Sequence, residues 1–351
     1  MKKALGISAL IIVLLALIAA WLVFGAATEF EGKAKYLYVR DDISAQTQIE
    51  RQLDTGHIIR TVFIFKMLAK PAKAWNRITP GRFEIKNGES IFDVLRKLRN
   101  NTQSPVRLVI NKLRVPQDLA KIIGKNFSTD SLQALLYLTN NDSLQTLGVD
   151  TNTLMTVIIP DTYFLNWNTS TRKILLRLKD EEDKFWSKND RIQKAQALNL
   201  TRQQVYTLAS IVEEETNKND EKGNIASVYI NRLNGGMPLA ADPTIKFALK
   251  NFALKRIYYG QLNTESPYNT YRNKGLPPGP ICTPSPVTID AVLNAPATDY
   301  LFFVAKSDFS GYHQFSNNFA EHTKYAKLYQ QALNEQIAKR QQDSLNKTLP
   351  H

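Results

Sequence analysis

Leu208-Ala-Ser-Ile-Val-Glu-Glu-Glu-Thr216 is the stretch on which the reading of this chain turns. Upstream of it, Thr201 and Gln204 stand in a capping-box pattern and predict a helix starting at Thr201. From there Val205, Leu208, Ile211 and Val212 recur at helical spacing and make one apolar stripe. The next position on that stripe is Glu215, whereas Glu213 and Glu214 point elsewhere, to solvent or a cleft wall. An ionised carboxylate facing a core is unfavourable, so Glu215 is expected to carry a raised pKa or to sit at the rim of a pocket. A carboxyl group held partly protonated near neutral pH is what a general acid needs. Periodicity alone leaves a second reading open. The stripe then ends at Ile211 or Val212, and Glu215 lies in a solvated last turn, as polar residues at helix ends often do.

The flanking sequence bears on that choice. A polar turn, Asn217-Lys-Asn-Asp-Glu221, leads to a second predicted helix, Asn224 to Leu233, with Ile225, Val228, Tyr229 and Arg232 on one face. Asn231 and Arg232 are expected to hold it against the first helix. Gly235-Gly236 is a glycine stop suited to a left-handed cap. Three loops follow: Ala240-Ala-Asp-Pro-Thr244, Tyr268-Asn-Thr-Tyr271 and Gly275-Leu-Pro-Pro-Gly-Pro-Ile281. Pro277, Pro278 and Pro280 fix φ and remove donors, which excludes helix and central strand there. Rigid loops beside a helix-borne carboxylate are a way to shape a cleft.

SIVEEET, ASVYINRL, ADPT, PYNTYRNKGLPPGPI and YLFFVAKSDFSGYHQFSNNFAEH together resemble the endolytic murein lytic transglycosylases, the MltG or YceG-like family, in order and spacing. TPGRFEIKNGESIFDVLRKL and IIPDTYFLNW fit more loosely. The resemblance runs from the apolar N-terminal segment to about residue 330. It implies a membrane-anchored enzyme that cleaves peptidoglycan glycan strands. The family's catalytic glutamate is the second acidic residue of a Glu-x-Glu-Thr motif, which falls on Glu215, with Glu213 as the first. In such an enzyme one carboxyl group protonates the glycosidic oxygen between MurNAc and GlcNAc. It then acts as base on the C6 hydroxyl of MurNAc, giving a 1,6-anhydro end. The substrate supplies its own nucleophile, so a second protein carboxylate is not required.

Around Glu215 the residues carry paired readings. Glu213 orients loops or polarises sugar hydroxyls, or is simply exposed. Asn269 and Tyr271 bond sugar hydroxyls or N-acetyl groups; Tyr268 stacks on a sugar face or packs in the core. Asp242 contributes to the site or serves as a turn-former before Pro243. His313, in Tyr312-His-Gln-Phe-Ser316, lines the cleft or makes a structural hydrogen bond. Glu214→Gln is expected to be nearly silent. Two other classes of function stay open. One is a peptidoglycan hydrolase in which Asp242 activates water; the other is a non-catalytic cell-wall-binding scaffold for synthesis or division proteins.

Charge and composition bound the setting. At 351 residues and 43% hydrophobic content the chain can fill one large domain or two moderate ones. Residues 4 to 28 carry no charge, long enough to span a bilayer, with Lys2 and Lys3 before them favouring a cytoplasmic N-terminus. The apolar run exceeds a usual signal-peptide core, which favours an uncleaved anchor and an extracytoplasmic remainder. The net charge of +13 suits anionic lipid or anionic cell-wall polymer, although the bases are scattered rather than clustered, and the other reading of most of them is a solvated face. Nucleic acid is excluded as a partner by the anchor and the lack of a nucleic-acid motif. Peptidoglycan synthases are further expected partners, because the family is thought to act beside them. Cys282 is alone, so no internal disulfide is expected, and its expected role is that of a small buried hydrophobe. His57, His313, His322 and His351 match no metal-ligand spacing; no metal and no cofactor is expected.

The expected fold class is α+β, in four parts. A transmembrane helix covers 1–28, a small LysM-like α+β module 29–104, a larger YceG-like α+β catalytic domain 105–330, and a C-terminal helix and tail 331–351. Strands are predicted at 34–39, 81–85 and 106–110, and helices at 46–53, 62–68, 88–98 and 115–123, as two strand-turn-helix units. Gly88-Glu-Ser-Ile-Phe-Asp-Val-Leu95 is similar to LysM glycan-binding modules; an ordinary positioning unit is the other reading. Short helices are expected over 128–155, one long charged helical stretch over 170–197, a short helix over 286–293, a buried strand over 300–305 and a charged helix over 322–345.

Overall fold

The computed structural model describes residues 2–348, with side chains over 5–342. The apolar run forms α1 (Lys2–Phe24), whose Leu5–Phe24 span has a mean hydropathy of 3.0 and is not covered by protein. By length and composition it can cross a membrane. Then follow β1 (Ala34–Val39), α2 (Ala45–Thr55), α3 (Val62–Ala69), β2 (Gly81–Lys86), α4 (Ile91–Arg99), β3 (Val106–Val109), α5 (Pro116–Asn126), α6 (Ser131–Leu138) and α7 (Asn141–Leu144). Beyond these lie β4 (Thr162–Leu165), α8 (Thr171–Trp186), α9 (Arg191–Ala197), α10 (Arg202–Glu215), α11 (Lys222–Asn234), α12 (Asp242–Ala248), α13 (Pro286–Leu293), β5 (Phe302–Ala305), β6 (His313–Ser316) and α14 (Phe319–Thr348). Two compact units emerge. The first holds residues up to Leu108 with Lys121–Ala134 and Thr162–Ile174; the second holds Val109–Ala120, Leu135–Asp161 and everything from Leu175 onward.

In the first unit β1 runs antiparallel to β2, with Ala34 opposite Lys86 and Val39 opposite Gly81. Alternation turns Leu37 and Val39 of β1, and Phe83 and Ile85 of β2, to one buried face. Ile91, Val94, Leu95 and Leu98 of α4 and Ile49 and Leu53 of α2 complete that core. The turn into α4 uses Gly88 at φ +83°, and the Ser90 hydroxyl accepts from the Asp93 N–H at 3.0 Å as the helix cap. The expected second strand-turn-helix unit does not extend this sheet: β3 pairs with β4, and each sheet among the described residues has two strands.

In the second unit α10 is the central element, packed by α9, α11, α12 and α13. Every residue from Val205 to Val212 is buried, so the single apolar stripe expected there is in fact a helix enclosed on all sides. The polar members have partners: the Tyr206 hydroxyl donates to the Ile158 carbonyl, and the Ser210 hydroxyl donates to Thr207 and accepts from the Ile281 N–H. The capping box is formed, with Thr201 accepting from the Gln204 N–H at 3.2 Å and Gln204 from the Thr201 N–H at 2.8 Å.

Three sequence expectations change here. The charged stretch 170–197 is two helices, parted where Asn189 and Asp190 adopt φ +58° and +54°, conformations that Asn and Asp tolerate. The Ala-Ala-Asp-Pro-Thr segment is a helix start, since Asp242 opens α12 with Pro243 in its first turn. The strand expected over 300–305 is β5 alone, half-buried and paired antiparallel with β6. Gly236, at φ +62°, closes α11 as the glycine stop implies.

Candidate active site

Glu215 is the last residue of α10, and the backbone turns extended at Thr216. The Tyr229 hydroxyl, from the middle of α11, donates to Glu215 Oε1 at 2.6 Å. Tyr229 is itself buried, its ring edge-on to Phe303 at 5.8 Å between centroids. Although Glu215 keeps some solvent exposure as a residue, protein atoms crowd its carboxyl group. Desolvation therefore pushes its pKa up to about 7, against the Tyr229 hydrogen bond and the charges of Lys246 and Arg232, and with the charge of Asp242. Among the described residues no cation stands within 4.0 Å of it to form an ion pair.

The other charged groups near Glu215 come from α11, α12 and the loop before Pro277. Asp242 is exposed at the start of α12 and accepts from the Tyr271 hydroxyl at 2.6 Å. Burial, the Asp242 hydrogen bond and nearby negative charge all raise the Tyr271 pKa, so its hydroxyl stays protonated and donating. Arg232 donates to the carbonyls of Leu301 at 2.7 Å and Leu239 at 2.6 Å. Asn231 donates to those of Thr298 and Tyr300, both at 2.9 Å. These two residues thus tie α11 to the segment before β5, rather than to α10 as expected.

Glu213 and Glu214 do not face solvent. Glu213 accepts from Lys222 Nζ at 3.1 Å, from Ser285 at 3.1 Å and from Thr288. Burial raises its pKa, but the Thr288 and Lys222 hydrogen bonds and the charges of Lys222 and Lys112 outweigh that, and the net shift is downward. Glu214 pairs with Lys112 at 3.0 Å and with Arg114 at 3.0 Å. Burial raises it too, and the Lys112 and Arg114 contacts bring it below the ordinary value. A silent Glu214→Gln is therefore no longer expected, because that change leaves two cations without their carboxylate.

Of the remaining candidates, Asn269 is fully buried and its amide is consumed within the protein. It donates to the Leu262 and Thr264 carbonyls at 2.9 and 2.8 Å and accepts from the Tyr271 N–H at 3.0 Å. It shapes the loop and has no group left for a sugar. Tyr268 is half-buried against Phe247, 4.6 Å between centroids. His313 Nδ1 lies 2.8 Å from Glu221 Oε1, and the His313 N–H donates to Glu221 Oε2 at 3.0 Å. Glu221 also accepts from the Thr216 hydroxyl at 2.7 Å, so it fixes the residue after Glu215. Cys282 is buried with its thiol toward the Ser210 carbonyl, and burial raises its pKa.

Sequence reasoning missed Glu221, Lys222, Lys246, Lys112 and Arg114, and saw Tyr229 only as part of an apolar face. For Tyr229 a signal existed: a tyrosine on a buried helix face needs a partner for its hydroxyl. The cations came from segments without a motif of their own, and nothing in the spacing joins Lys112 to Glu214.

Comparison with known proteins gives a consistent picture. The model of the YceG-like family matches residues 37–328. An endolytic murein transglycosylase of Bacillus subtilis is 42% identical over 129 residues, 37% of this chain and 35% of that protein. One of Streptococcus pneumoniae is 27% identical over 356 aligned residues, 88% of this chain and 64% of that protein. The chain thus matches about a third and about two thirds of the lengths of these relatives. The crystal structure of a YceG-like protein from Listeria monocytogenes superposes with a TM-score of 0.54 at 25% identity, covering 84% of this chain and 99% of that one. A family match over so much of the sequence, in a mixed helix and strand fold that a solved member shares, means that this chain belongs to the YceG-like family.

Proposed function

We propose that this protein is an endolytic lytic transglycosylase of peptidoglycan, with Glu215 as its single acid/base. One observation carries the proposal: of three consecutive glutamates, two are neutralised by cations, and the third is desolvated with, among the described residues, the Tyr229 hydroxyl as its hydrogen-bond partner and no paired cation. Near pH 7 such a group is about half protonated, and a catalytic pKa close to the working pH suits a residue that both gives and takes a proton.

The reaction then balances within the substrate. Protonated Glu215 gives its proton to the glycosidic oxygen as the bond from C1 of MurNAc to that oxygen breaks. The C6 hydroxyl of the same MurNAc attacks C1, and the Glu215 carboxylate takes the hydroxyl proton. A GlcNAc hydroxyl and a 1,6-anhydro-MurNAc end result, no water is consumed, and Glu215 returns protonated. We assign to Tyr229 the holding of the carboxyl orientation. To Tyr271 and Asp242 we assign contacts with sugar hydroxyls, and to Glu213, through Lys222, Ser285 and Thr288, the bracing of α10 against α13. His313 and Tyr268 flank the region, His313 through Glu221.

The apolar α1 is proposed as a single-pass anchor with a cytoplasmic N-terminus, so that the rest lies outside the membrane near nascent strands and their synthases. The 29–104 segment is proposed as a LysM-like glycan contact within that arrangement. Mass spectrometry of glycan fragments released from purified peptidoglycan tests the central claim. Anhydro ends are expected from the wild type, and Glu215→Gln is expected to lose at least about a hundredfold in rate. Reducing MurNAc ends would replace the transglycosylase by a hydrolase, with Asp242 as the group to activate water. Unchanged cleavage by Glu215→Gln would remove Glu215 from the chemistry.

A further inference from the structure

The second unit also contains a cavity of about 500 Å³ that the chemistry above leaves unused. That volume lies in the range of sites that take a drug-sized ligand. Its floor is aromatic: Phe247 packs against Tyr268 at 4.6 Å and against Phe252 at 6.2 Å between centroids. Its charged lining groups are Arg114 and Lys250, both cations. Two carboxylates stand beside it, both turned to backbone donors, and the charge of Asp150 reaches Tyr268. Asp118 accepts from the Arg114 and Val115 N–H groups, and Asp150 from those of Asn152 and Thr153.

The two cations differ. Arg114 is held by Glu214 and lies 5.1 Å from the Phe252 ring centroid. Lys250 has no hydrogen-bond acceptor or acidic partner among the described residues; its ammonium sits 3.7 Å from the Phe247 ring centroid. Lys250 is exposed as a residue, and the partial burial of its ammonium lowers its pKa. Its backbone is unusual as well. Lys250 follows the cap of α12 at φ +51°, a left-handed position where glycine sits without strain and a lysine does not. A strained, unpaired amine over an aromatic floor, in a cavity lined by no acid, fits a ligand with a carboxylate and an apolar body.

Its walls belong to the same elements as the candidate active site. Arg114 binds the neighbour of Glu215, Phe247 follows Lys246 on α12, and Tyr268 precedes Tyr271 on one loop. We propose that this cavity receives the acidic peptide stem carried by a muramyl residue, with Lys250 binding a stem carboxylate and the Phe247–Tyr268 surface its aliphatic part. Strands that bear stems are then the preferred substrate over strands stripped of them. This rests on the reading of Glu215 as a glycan-cleaving group, and deepens it. A lone lactyl carboxylate, the anion that stripping leaves behind, is too small to use a space of 500 Å³.

The test compares kcat/KM of the full-length protein on stem-bearing strands and on amidase-stripped strands, and titrates a free synthetic stem peptide by calorimetry. The wild type should prefer stem-bearing strands by about tenfold or more, and Lys250→Gln should collapse that ratio about tenfold, as loss of a charge-assisted hydrogen bond would. Lys250→Gly should do the same with an equal or higher Tm, since it relieves the left-handed strain; this separates lost recognition from lost folding. A wild-type ratio near one, or a ratio and a peptide affinity unmoved in both variants, overturns the proposal while leaving the transglycosylase intact. Lys250-dependent peptide binding by a protein that cleaves nothing upholds the cavity and fails the transglycosylase. Displacement by inorganic phosphate at concentrations where the stem peptide does not bind would overturn the stem assignment in favour of a phosphate ligand.

Discussion

Tyr229→Phe isolates one hydrogen bond at Glu215. The hydroxyl donates at 2.6 Å to a carboxyl group whose pKa desolvation has pushed up to about 7. That bond favours the charged form, so removing it must raise the pKa further. A hydrogen bond to a charged group contributes about 1.5–3 kcal/mol, and one pKa unit corresponds to about 1.4 kcal/mol. The shift is therefore about 1–2 units, to about 8–9. The ring stays, with its edge-on contact to Phe303, so the packing of α11 is retained.

The assay is the pH dependence of kcat/KM from about pH 5 to 10, read as anhydro ends. This ratio reports ionisation of the free enzyme. The acid must be protonated to start the reaction, so the rate falls as pH rises through its pKa. The falling limb should lie near 7 in the wild type and move to about 8–9 in the variant. A titration of the Glu215 carboxyl carbon by NMR should move by the same amount. A limb that stays in place while the NMR titration moves would mean that Glu215 does not set the profile. A titration that is unmoved, or moves down, would mean that the Tyr229 hydroxyl does not stabilise the carboxylate, and the account of the site would fail.

Three further outcomes are expected. Glu215→Gln should stabilise the protein at alkaline pH. The folded pKa lies above the unfolded one, so the wild type loses stability as pH rises from about 4.5 through about 7. Urea unfolding should therefore show the variant ahead by at most about 3 kcal/mol at pH 8 and equal at pH 4. Glu213→Gln, which strands the buried Lys222, should lower stability by about 3–5 kcal/mol in the same assay; a loss under about 1 kcal/mol would mean that Lys222 reaches water. Asn269→Ala, which removes three hydrogen bonds at a fully buried position, should lower Tm and stability by about 2–4 kcal/mol. An Asn269→Ala protein with unchanged Tm and a raised KM would instead restore Asn269 as a sugar contact.

Local patterns carried much of the fold into the sequence. The capping box at Thr201, the glycine stop at Gly236 and the alternation of β1 and β2 are each decided by neighbours a few residues apart, and each is present in the structure. The failures have a common cause in tertiary partners. α10 looked amphipathic because Ser210 and Thr207 are polar, but both are buried, and the Ser210 hydroxyl bonds the Thr207 carbonyl and the Ile281 N–H inside the core. Asn269 looked like a ligand group because a polar residue in a loop is usually free to bind. Here its three bonds are what give the loop its shape. Spacing left Glu213 and Glu214 to solvent or a cleft wall, because their cations, Lys222, Lys112 and Arg114, stand 9 to 102 positions away in sequence. Tyr229 was visible as a residue but not as a partner, since helical spacing gives a face and not the element it meets.

The run Glu213-Glu-Glu215 is unfavourable at the place where it stands. Successive helical residues are about 100° apart, so the three carboxylates leave α10 in three directions. All three also lie in its last turn, where the helix dipole opposes negative charge. Lys222 answers the first charge, and Lys112 with Arg114 answers the second, bringing both pKa values below normal. A scaffold that needed only stability would gain by treating the third in the same way, since a cation at Glu215 would relieve burial and dipole together. The third direction instead meets Tyr229, a neutral donor, with Asp242 adding negative charge and Lys246 and Arg232 held outside ion-pair reach. The dipole and the desolvation then act on one carboxyl alone. This selectivity is what the proposed proton transfer at Glu215 requires, and it differs from an ordinary ion-pair network, in which cations bring carboxylate pKa values down. It also explains why the register of α10 matters: a shift of one residue that put Glu214 against Tyr229 would put Glu213 against Arg114 and leave Lys222 facing Val212, without its carboxylate.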